Sequence, residues 1–551
     1  MNRLIAATGT SLTAGLVACY LICCLNFFLG GSLAGWPGHL IFPLGMLCGF
    51  CFTRALFGPG RSACNSTRLW IELSVLIIIA TAGVCVLLQD FSYDGNVYHQ
   101  DTIAALMLGW NPFLDPMQPG LSLWAHHYAK GMEILSASAA VCFGNIEAGK
   151  CINLIMIAGP SLLFASTLYS ILRTRIGSRA TAITSAILIA LAAALNPVGM
   201  SQSFTYYIDF PKYYLLLAAI SLLVHLFRRD ESQSHRLPEV LTYALLSGVM
   251  VLAIDIKFNA APDMAFLVLT AFFIALGMKR KHLAINILVA GFIAAIASTC
   301  IFGFHPYVTN IIHASHPLYP LMGSGATDIM SANTPIEFQG ADRFSNFAAS
   351  YLNPDGDLKV SYDERHGGFT PIMPLILLLS LAALVWRFRK FPVWLVASLG
   401  VVIASCFIFE QSWWARYMCQ LWLFPIGVAS ALAAMSAPAR AESLLARTIA
   451  LLCIAAGGIT FVNSAYHSFI FTQYRHDIYS FQPDRNVPVA NLTPAVELQL
   501  KANGFSPVKS SEENLDSLGY VYFYGYTRVD NNVRIRVPKE HIKDFKKIII
   551  W

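Results

Sequence analysis

The sequence predicts a polytopic α-helical membrane protein with about 13 transmembrane helices, external interfacial helices and a small C-terminal α+β domain. Three observations predict it. The 551 residues are 56% hydrophobic and only 12% charged, with a mean hydropathy of +0.58; soluble proteins are roughly 45–50% apolar. Apolar runs long enough to cross a hydrocarbon core, about 17–25 residues, recur along the chain. Lys and Arg collect in short clusters between those runs, so the net charge of +6 reflects topology, and nucleic acid is not an expected partner.

The runs fall near 4–29, 37–57, 69–88, 149–171, 180–196, 211–227, 239–256, 261–278, 283–302, 371–386, 392–409, 417–435 and 445–463. The first is longer than a signal-peptide core and another span follows almost at once, so it reads as a retained helix. Basic clusters at Arg54/Arg61/Arg68, Arg173/Arg175/Arg179, Arg228/Arg229/Arg236, Lys279/Arg280/Lys281, Arg387/Arg389/Lys390 and Arg440/Arg447 occupy alternate connections. This regularity holds only if Leu121 to Phe143 does not cross. That segment carries His126, His127, Lys130 and Glu133 in its first half, and it reads as a helix lying on, or dipping into, the outer surface. The N-terminus is then cytoplasmic and the C-terminus external. Residues 1–68 form an N-terminal transmembrane hairpin, 69–463 a transmembrane unit with external loops 90–148 and 303–370, and 464–551 an external soluble domain. In that last domain the alternation over Tyr520 to Tyr526 and Asn532 to Val537 predicts strands. None of the 13 cysteines lies in it, and neither a disulfide framework nor a zinc site is suggested.

Ionisable residues avoid the centres of the spans and gather at their external ends. They include Asp94, His99, Asp101, His126, His127, Lys130, Glu147, Lys150, Asp209, Lys212, Asp255, Lys257, Asp263, Glu410 and Arg416. A carrier of polar solutes more often places such groups near the bilayer midplane. Tyr93-Asp94-Gly95-Asn96 follows a span directly, and Val97 to Leu108 reads as a short amphipathic helix in the interface, closed by Gly109 and Pro112. Asp94 suits a general base that takes a proton from an attacking hydroxyl; it also suits a helix cap. Tyr98, His99 and Asp101 are further candidates, or water-facing groups of that helix. Asp209, in Tyr206-Tyr207-Ile208-Asp209, would orient an acceptor or, beside Asp94, share a divalent cation such as Mg or Mn. Lys130, Arg416 and His127 suit a phosphate. Trp413-Trp414-Ala415-Arg416-Tyr417 fits an interfacial aromatic belt equally well. The 303–370 loop, with His305, His313, His316, Tyr319, Glu337, Asp342, Glu364, Arg365 and His366, has the length of a functional loop that Gly367-Gly368 could hinge.

In these residues the chain resembles the GT-C superfamily of integral membrane glycosyltransferases, such as the lipid A aminoarabinose transferases and protein mannosyltransferases. Asp94 matches the acidic position of the family's first large external loop. The segment His126-His127-Tyr128-Ala129-Lys130-Gly131 matches its second interfacial helix, and Asp209 an acid of the following external loop. The resemblance runs from about residue 69 onward, with two helices added before it and Gly95 where a second acid often stands. It implies a bacterial inner-membrane enzyme that inverts a sugar as it leaves a polyprenyl-phosphate donor for a lipid-linked or other envelope glycan acceptor. Asp94 and Asp209 would be catalytic, with Lys130, Arg416 and His127 at the donor phosphate and Tyr417 beside them. An O-antigen polymerase or ligase would lean on loop residues such as Arg343 and Arg365 instead, and a transporter or flippase would form no glycosidic bond.

Overall fold

The computed structural model describes residues 2–58, 63–229, 236–327, 334–352, 368–435, 440–482, 484–524 and 533–545. Arg61, Glu364, Arg365, His366, Gly367, Tyr526 and Asn532 lie outside the described residues. Every one of the apolar runs contains a helix. Eight described helices are long and apolar enough to cross a membrane, against the thirteen expected, and others such as Arg179–Ala194 and Val393–Ser405 are apolar but shorter. The remaining runs hold shorter helices or, at Pro211–Arg228, one of 18 residues that is less apolar. The 417–435 run, for example, is a 3-10 turn, Cys419–Trp422, followed by the helix Leu423–Ala433.

Helices α1 (Asn2–Phe28), α2 (Gly35–Phe57), α3 (Ala63–Leu87) and α7 (Cys151–Arg175) pack together. The N-terminal hairpin is no appendage, because two-thirds of the apolar stretch of α1 (67%) is buried. Glycines make this possible. A Cβ on Gly45 would stand 2.6 Å from the Cα of Cys19, one on Gly49 2.5 Å from the nitrogen of Gly15, and one on Gly9 2.5 Å from the nitrogen of Leu163. Between apolar helices in lipid, attraction comes mainly from such close backbone approach, and Gly45 and Gly49 have the four-residue spacing that supports it.

Two segments expected as interfacial helices are covered by protein. A π-helical turn, Gly95–His99, runs into α4 (Gln100–Met107), and Gln100 to Leu106 are all buried. The helix is polar on one side because protein, not water, covers it. The stretch from Leu121 to Phe143 is likewise not one surface helix. It splits into α5 (Leu123–His127) and α6 (Gly131–Phe143), with Gly131 to Val141 buried. At 13 residues, α6 falls short of the ~20 needed to cross. It begins against the helix Arg236–Ile256, where a Cβ on Gly131 would meet the carbonyl oxygen of Asp255 at 2.8 Å.

The helix Arg440–Ser480 continues past position 464 and leads into a sheet of β1 (Asn486–Ala490), β2 (Ser506–Lys509), β3 (Tyr520–Tyr522) and β4 (Arg534–Arg536). The strand order is β2-β1-β4-β3, with β1 and β2 parallel and the other pairs antiparallel; Ile535 stands opposite both Val489 and Val521. Val487, Val489 and Ile535 form one core with Phe471, Tyr474 and Ile478 of the long helix and with Phe91, from the connection after α3.

The glycine contacts lead to a first prediction. Gly49→Leu should cost about 1–3 kcal/mol by overpacking, read as a lowered melting temperature of the detergent-solubilised protein. An unchanged melting temperature would show that α1 and α2 do not depend on that contact.

Candidate active site

Four connections at one end of the bundle converge on a chain of charges. The Nη2 of Arg416 donates to Oδ2 of Asp94 at 2.7 Å, and its Nε donates to Oδ2 of Asp209 at 2.7 Å. Oδ1 of Asp209 takes the ammonium of Lys257. Two carboxylates thus alternate with two cations. Gln202 completes the seat of Asp209, donating from Nε2 to its Oδ2 at 2.9 Å and accepting its backbone N–H at 3.2 Å. The guanidinium lies 4.2 Å over the ring of Tyr207 and 5.1 Å from that of Trp414, while the Lys257 ammonium lies 4.4 Å over Tyr417. Such faces hold a cation in place without neutralising it.

The two aspartates differ in access. The side chain of Asp209 is fully buried (0% exposed), whereas that of Asp94 is 19% exposed. Asp94 is the carboxylate that can meet a substrate. Asp209, expected to be catalytic, has both oxygens bonded inside the protein, to Arg416 and Gln202 on one and Lys257 on the other. Asp94 stands at the start of the π turn yet makes no capping bond with its side chain, so the capping role is replaced by the ion pair.

Lys130 ends α5's break and is buried, donating to the carbonyl of Tyr128 at 2.7 Å. Burial lowers its ammonium to about 8, against the opposing influence of Glu133. Around it lie imidazoles. The Nδ1 of His127 pairs with Oδ1 of Asn310 at 2.7 Å, and Nε2 of His126 pairs with the carbonyl of Gln118 at 3.0 Å. Burial, and then Lys130, hold His126 and the fully buried His305 below the ordinary histidine range. His127 is also lowered, first by burial. Neutral imidazoles around one lysine leave the positive charge on that lysine.

The remaining candidates have structural partners. His99 is no water-facing group: it is buried and its Nδ1 meets Oε1 of Glu133 at 2.9 Å. Asp101 is also buried and accepts from the backbone N–H of Ala495 at 3.1 Å, which places it in the seam with the C-terminal domain. Burial and then Asp94 push the Tyr98 hydroxyl well above its usual range, so it is a neutral donor beside the carboxylate. Arg343 donates to the carbonyl of Phe407 at 2.9 Å, and His316 accepts the backbone N–H of Leu318 at 3.1 Å. Sequence reasoning passed over Lys257, Gln202 and Glu133 as site members. Lys257 carried a signal, since it belongs to the set of ionisable groups at the same ends of the spans.

A divalent ion shared by Asp94 and Asp209 does not fit this arrangement, because the Arg416 guanidinium stands between the two carboxylates and bonds to both. Among the described residues no group of three or more His, Cys, Asp or Glu side chains has metal-binding geometry.

No family model and no curated protein matches the sequence. In fold the chain is similar to the crystal structure of ArnT from Cupriavidus metallidurans in the apo state, at a TM-score of 0.46 and 12% identity over 85% of this chain and 97% of that one. The same protein bound to undecaprenyl phosphate matches at 0.33 and 11% identity over the same shares. The archaeal oligosaccharyltransferase AglB from Archaeoglobus fulgidus, in complex with an inhibitory peptide and a dolichol-phosphate, matches at 0.38 and 12% identity over 74% of this chain and 58% of that one. At these scores the likeness carries no argument, and what the site can do follows from its own residues.

The burial difference yields a prediction. Asp209→Ala should cost about 3–5 kcal/mol by leaving buried cations without their anion, whereas Asp94→Asn should change the melting temperature little. Equal melting temperatures for Asp209→Ala and the wild type would contradict the buried role.

Proposed function

We propose that this protein is an inverting membrane glycosyltransferase that moves a sugar from a polyprenyl-phosphate donor to a hydroxyl of a lipid-linked or other envelope glycan acceptor. The reaction takes place at the external face of a bacterial inner membrane, with the N-terminus cytoplasmic and the C-terminal domain periplasmic. The single observation that carries this reading is the sharing of Arg416 between a partly exposed and a fully buried carboxylate, with the buried Lys130 as a second cation at the same end of the bundle. A site on that face has no nucleotide supply, so the sugar must arrive already activated on a lipid.

The acceptor oxygen attacks the anomeric carbon on the face opposite the phosphate. Asp94 takes the hydroxyl proton as the new C–O bond forms. The bond from the anomeric carbon to the phosphate oxygen breaks, and its electron pair leaves on the phosphate, whose charge Lys130 and Arg416 neutralise. While Arg416 bonds to Asp94 it weakens that carboxylate as a base. A donor phosphate competes for the same Nη2 and so frees Asp94 only when a donor is present. Nε, held by Asp209, keeps the arginine in the site during the exchange. His127 orients the segment before Lys130 through Asn310, and Tyr98 donates at the edge of the site.

In cells that carry the protein as their sole copy, Asp94→Asn should lower transfer by ~10²-fold or more, with normal membrane insertion. The readout is mass spectrometry of undecaprenyl-linked intermediates and envelope glycans. Retained transfer would overturn the reading, and accumulation of unmodified donor in the variant would support it.

A pH dependence follows from Lys130. Its ammonium, lowered to about 8, is charged below that pH and neutral above it, so the affinity for an anion is present at pH 7 and declines as pH rises through 8. Binding of undecaprenyl phosphate to the purified protein should weaken between pH 7 and 9. Lys130→Arg should remove that decline, since Arg stays charged. An identical decline in the variant would assign it to another group.

A further inference from the structure

The segment that carries Asp94 is gripped from outside the membrane bundle. Phe91 is buried in the core of the C-terminal domain with Phe471, Val489 and Ile535. The N–H of Gln89 donates to the hydroxyl of Thr472 at 2.9 Å. Asp101 receives the N–H of Ala495 at the start of the helix Pro494–Ala502.

Between these anchors runs a buried polar relay. Gln499 of that same helix donates to Oε1 of Gln100 at 2.6 Å and to Oε1 of Glu147 at 3.1 Å, and accepts Nη1 of Arg475 at 2.9 Å. Gln100 in turn donates from Nε2 to Oδ2 of Asp90 at 3.2 Å and to Oδ1 of Asn96 at 3.1 Å.

Asp90 is where the relay reaches both acidic loops. Its Oδ1 accepts the N–H of Ser92 at 2.8 Å and its carbonyl accepts Nδ2 of Asn96 at 3.0 Å, which shapes the turn around Asp94. Its Oδ2 accepts the N–H of Tyr206 at 3.1 Å, in the connection that carries Tyr207 and Asp209. The turn leaves no room for a side chain at position 95, where a Cβ would fall 2.0 Å from Oδ2 of Asp90. The charges of the cluster balance. Glu147 pairs with Lys150 at 2.5 Å, and the guanidinium of Arg475, 3.4 Å over the ring of Phe523, faces it through Gln499. Each member is buried, where hydrogen bonds that are made fix geometry; Nε and Nη2 of Arg475 have no hydrogen-bond partner among the described residues, and the guanidinium lies over the rings of Phe471 and Phe523.

We infer that the C-terminal domain is a working part of the transfer site. Gln499 acts through Gln100 on Asp90, and Asp90 is the positioning residue that fixes the spacing of the Asp94 and Asp209 loops. The inference rests on the glycosyltransferase reading for its activity arm, but its geometry does not. Because Gln499 reaches the Asp94 turn and not Lys130, loosening the relay at Gln499 should slow the proton transfer while leaving phosphate recognition intact; Asp90 also holds the connection of Asp209, and so of Arg416, and is tested by exchange. A residue of merely structural importance would affect both together.

The test compares wild-type full-length protein with Gln499→Met, which keeps the length and removes the hydrogen bonds, and with Asp90→Asn. Hydrogen exchange of the purified protein should show faster exchange over 90–101 in both variants, and over 205–209 as well in Asp90→Asn, with the membrane helices unchanged. For Gln499→Met, undecaprenyl phosphate should bind within about threefold of wild type while transfer in cells falls at least tenfold. Unchanged exchange in 205–209 for Asp90→Asn would overturn the role of Asp90, whatever the protein's activity. Faster exchange with undiminished transfer would overturn the positioning claim, provided that Asp94→Asn abolishes transfer in the same assay. If Asp94→Asn also transfers normally, the glycosyltransferase reading fails, and the exchange data alone decide the link. Should Gln499→Met prove poorly folded, Gln499→Glu serves in its place. It keeps the shape but removes the donor to Gln100 and Glu147, and it should show the same faster exchange over 90–101 and the same fall in transfer; wild-type exchange there would count against the relay.

Discussion

The structure around the site depends on one guanidinium held by two carboxylates. Arg416 comes from the connection before the 3-10 turn Cys419–Trp422, Asp94 from the one after α3, and Asp209 from the one before the helix Pro211–Arg228. These segments are far apart in sequence, and the paired charges are what brings their ends to one place. A buried ion pair need not add net stability, because desolvation offsets much of the attraction. Its value here is specificity. Lys257, whose ammonium burial lowers to about 7, sits on the far oxygen of Asp209, so that cationic and anionic groups alternate in a poorly solvated setting. It also leaves one pair, Arg416 with Asp94, at the accessible edge where an incoming anion can exchange with it.

The bundle serves that geometry. Glycines at positions 9, 45 and 49 let α1 approach α2 and α7 closely enough for backbone to touch backbone, which makes a rigid wall behind the external connections. Over that wall, α4 and α6 are short helices that cannot cross and do not face lipid. They are covered, α6 by the bundle and α4 in part by the C-terminal domain. The Asp94 turn is therefore enclosed on the side away from the substrate, and its freedom is set by the contacts of Asp90, Asn96 and Gln100.

Much of this was legible in the sequence. The apolar runs found the helices, and the gathering of ionisable residues at the external ends of spans found Asp94, Asp209 and Arg416 together, with Lys130 set among imidazoles, because a charge in a span-rich chain is placed only where it has company or water. Roles were less legible. Which acid is buried depends on packing from four connections, and Asp209 differs from Asp94 only in what surrounds it. The amphipathic pattern of α4 reads as a membrane surface because sequence cannot say whether a polar face meets water or a glutamine of another domain. His99 and Glu133, 34 positions apart, and Gln100 and Gln499, 399 apart, have no local signature. The break between α5 and α6 at Tyr128 to Lys130 was hidden by an unbroken run of helix-compatible residues.

In the proposed reaction Arg416 is exchanged between Asp94 and the donor phosphate while Asp209 retains it. An experimental structure of the protein with undecaprenyl phosphate bound tests this most directly. The account predicts that Nη2 of Arg416 has moved from Asp94 to the phosphate, with Nε still on Asp209 and Asp94 turned toward the open site. A bound phosphate that leaves the Asp94–Arg416 pair intact, or that lies out of reach of both Arg416 and Lys130, would contradict it.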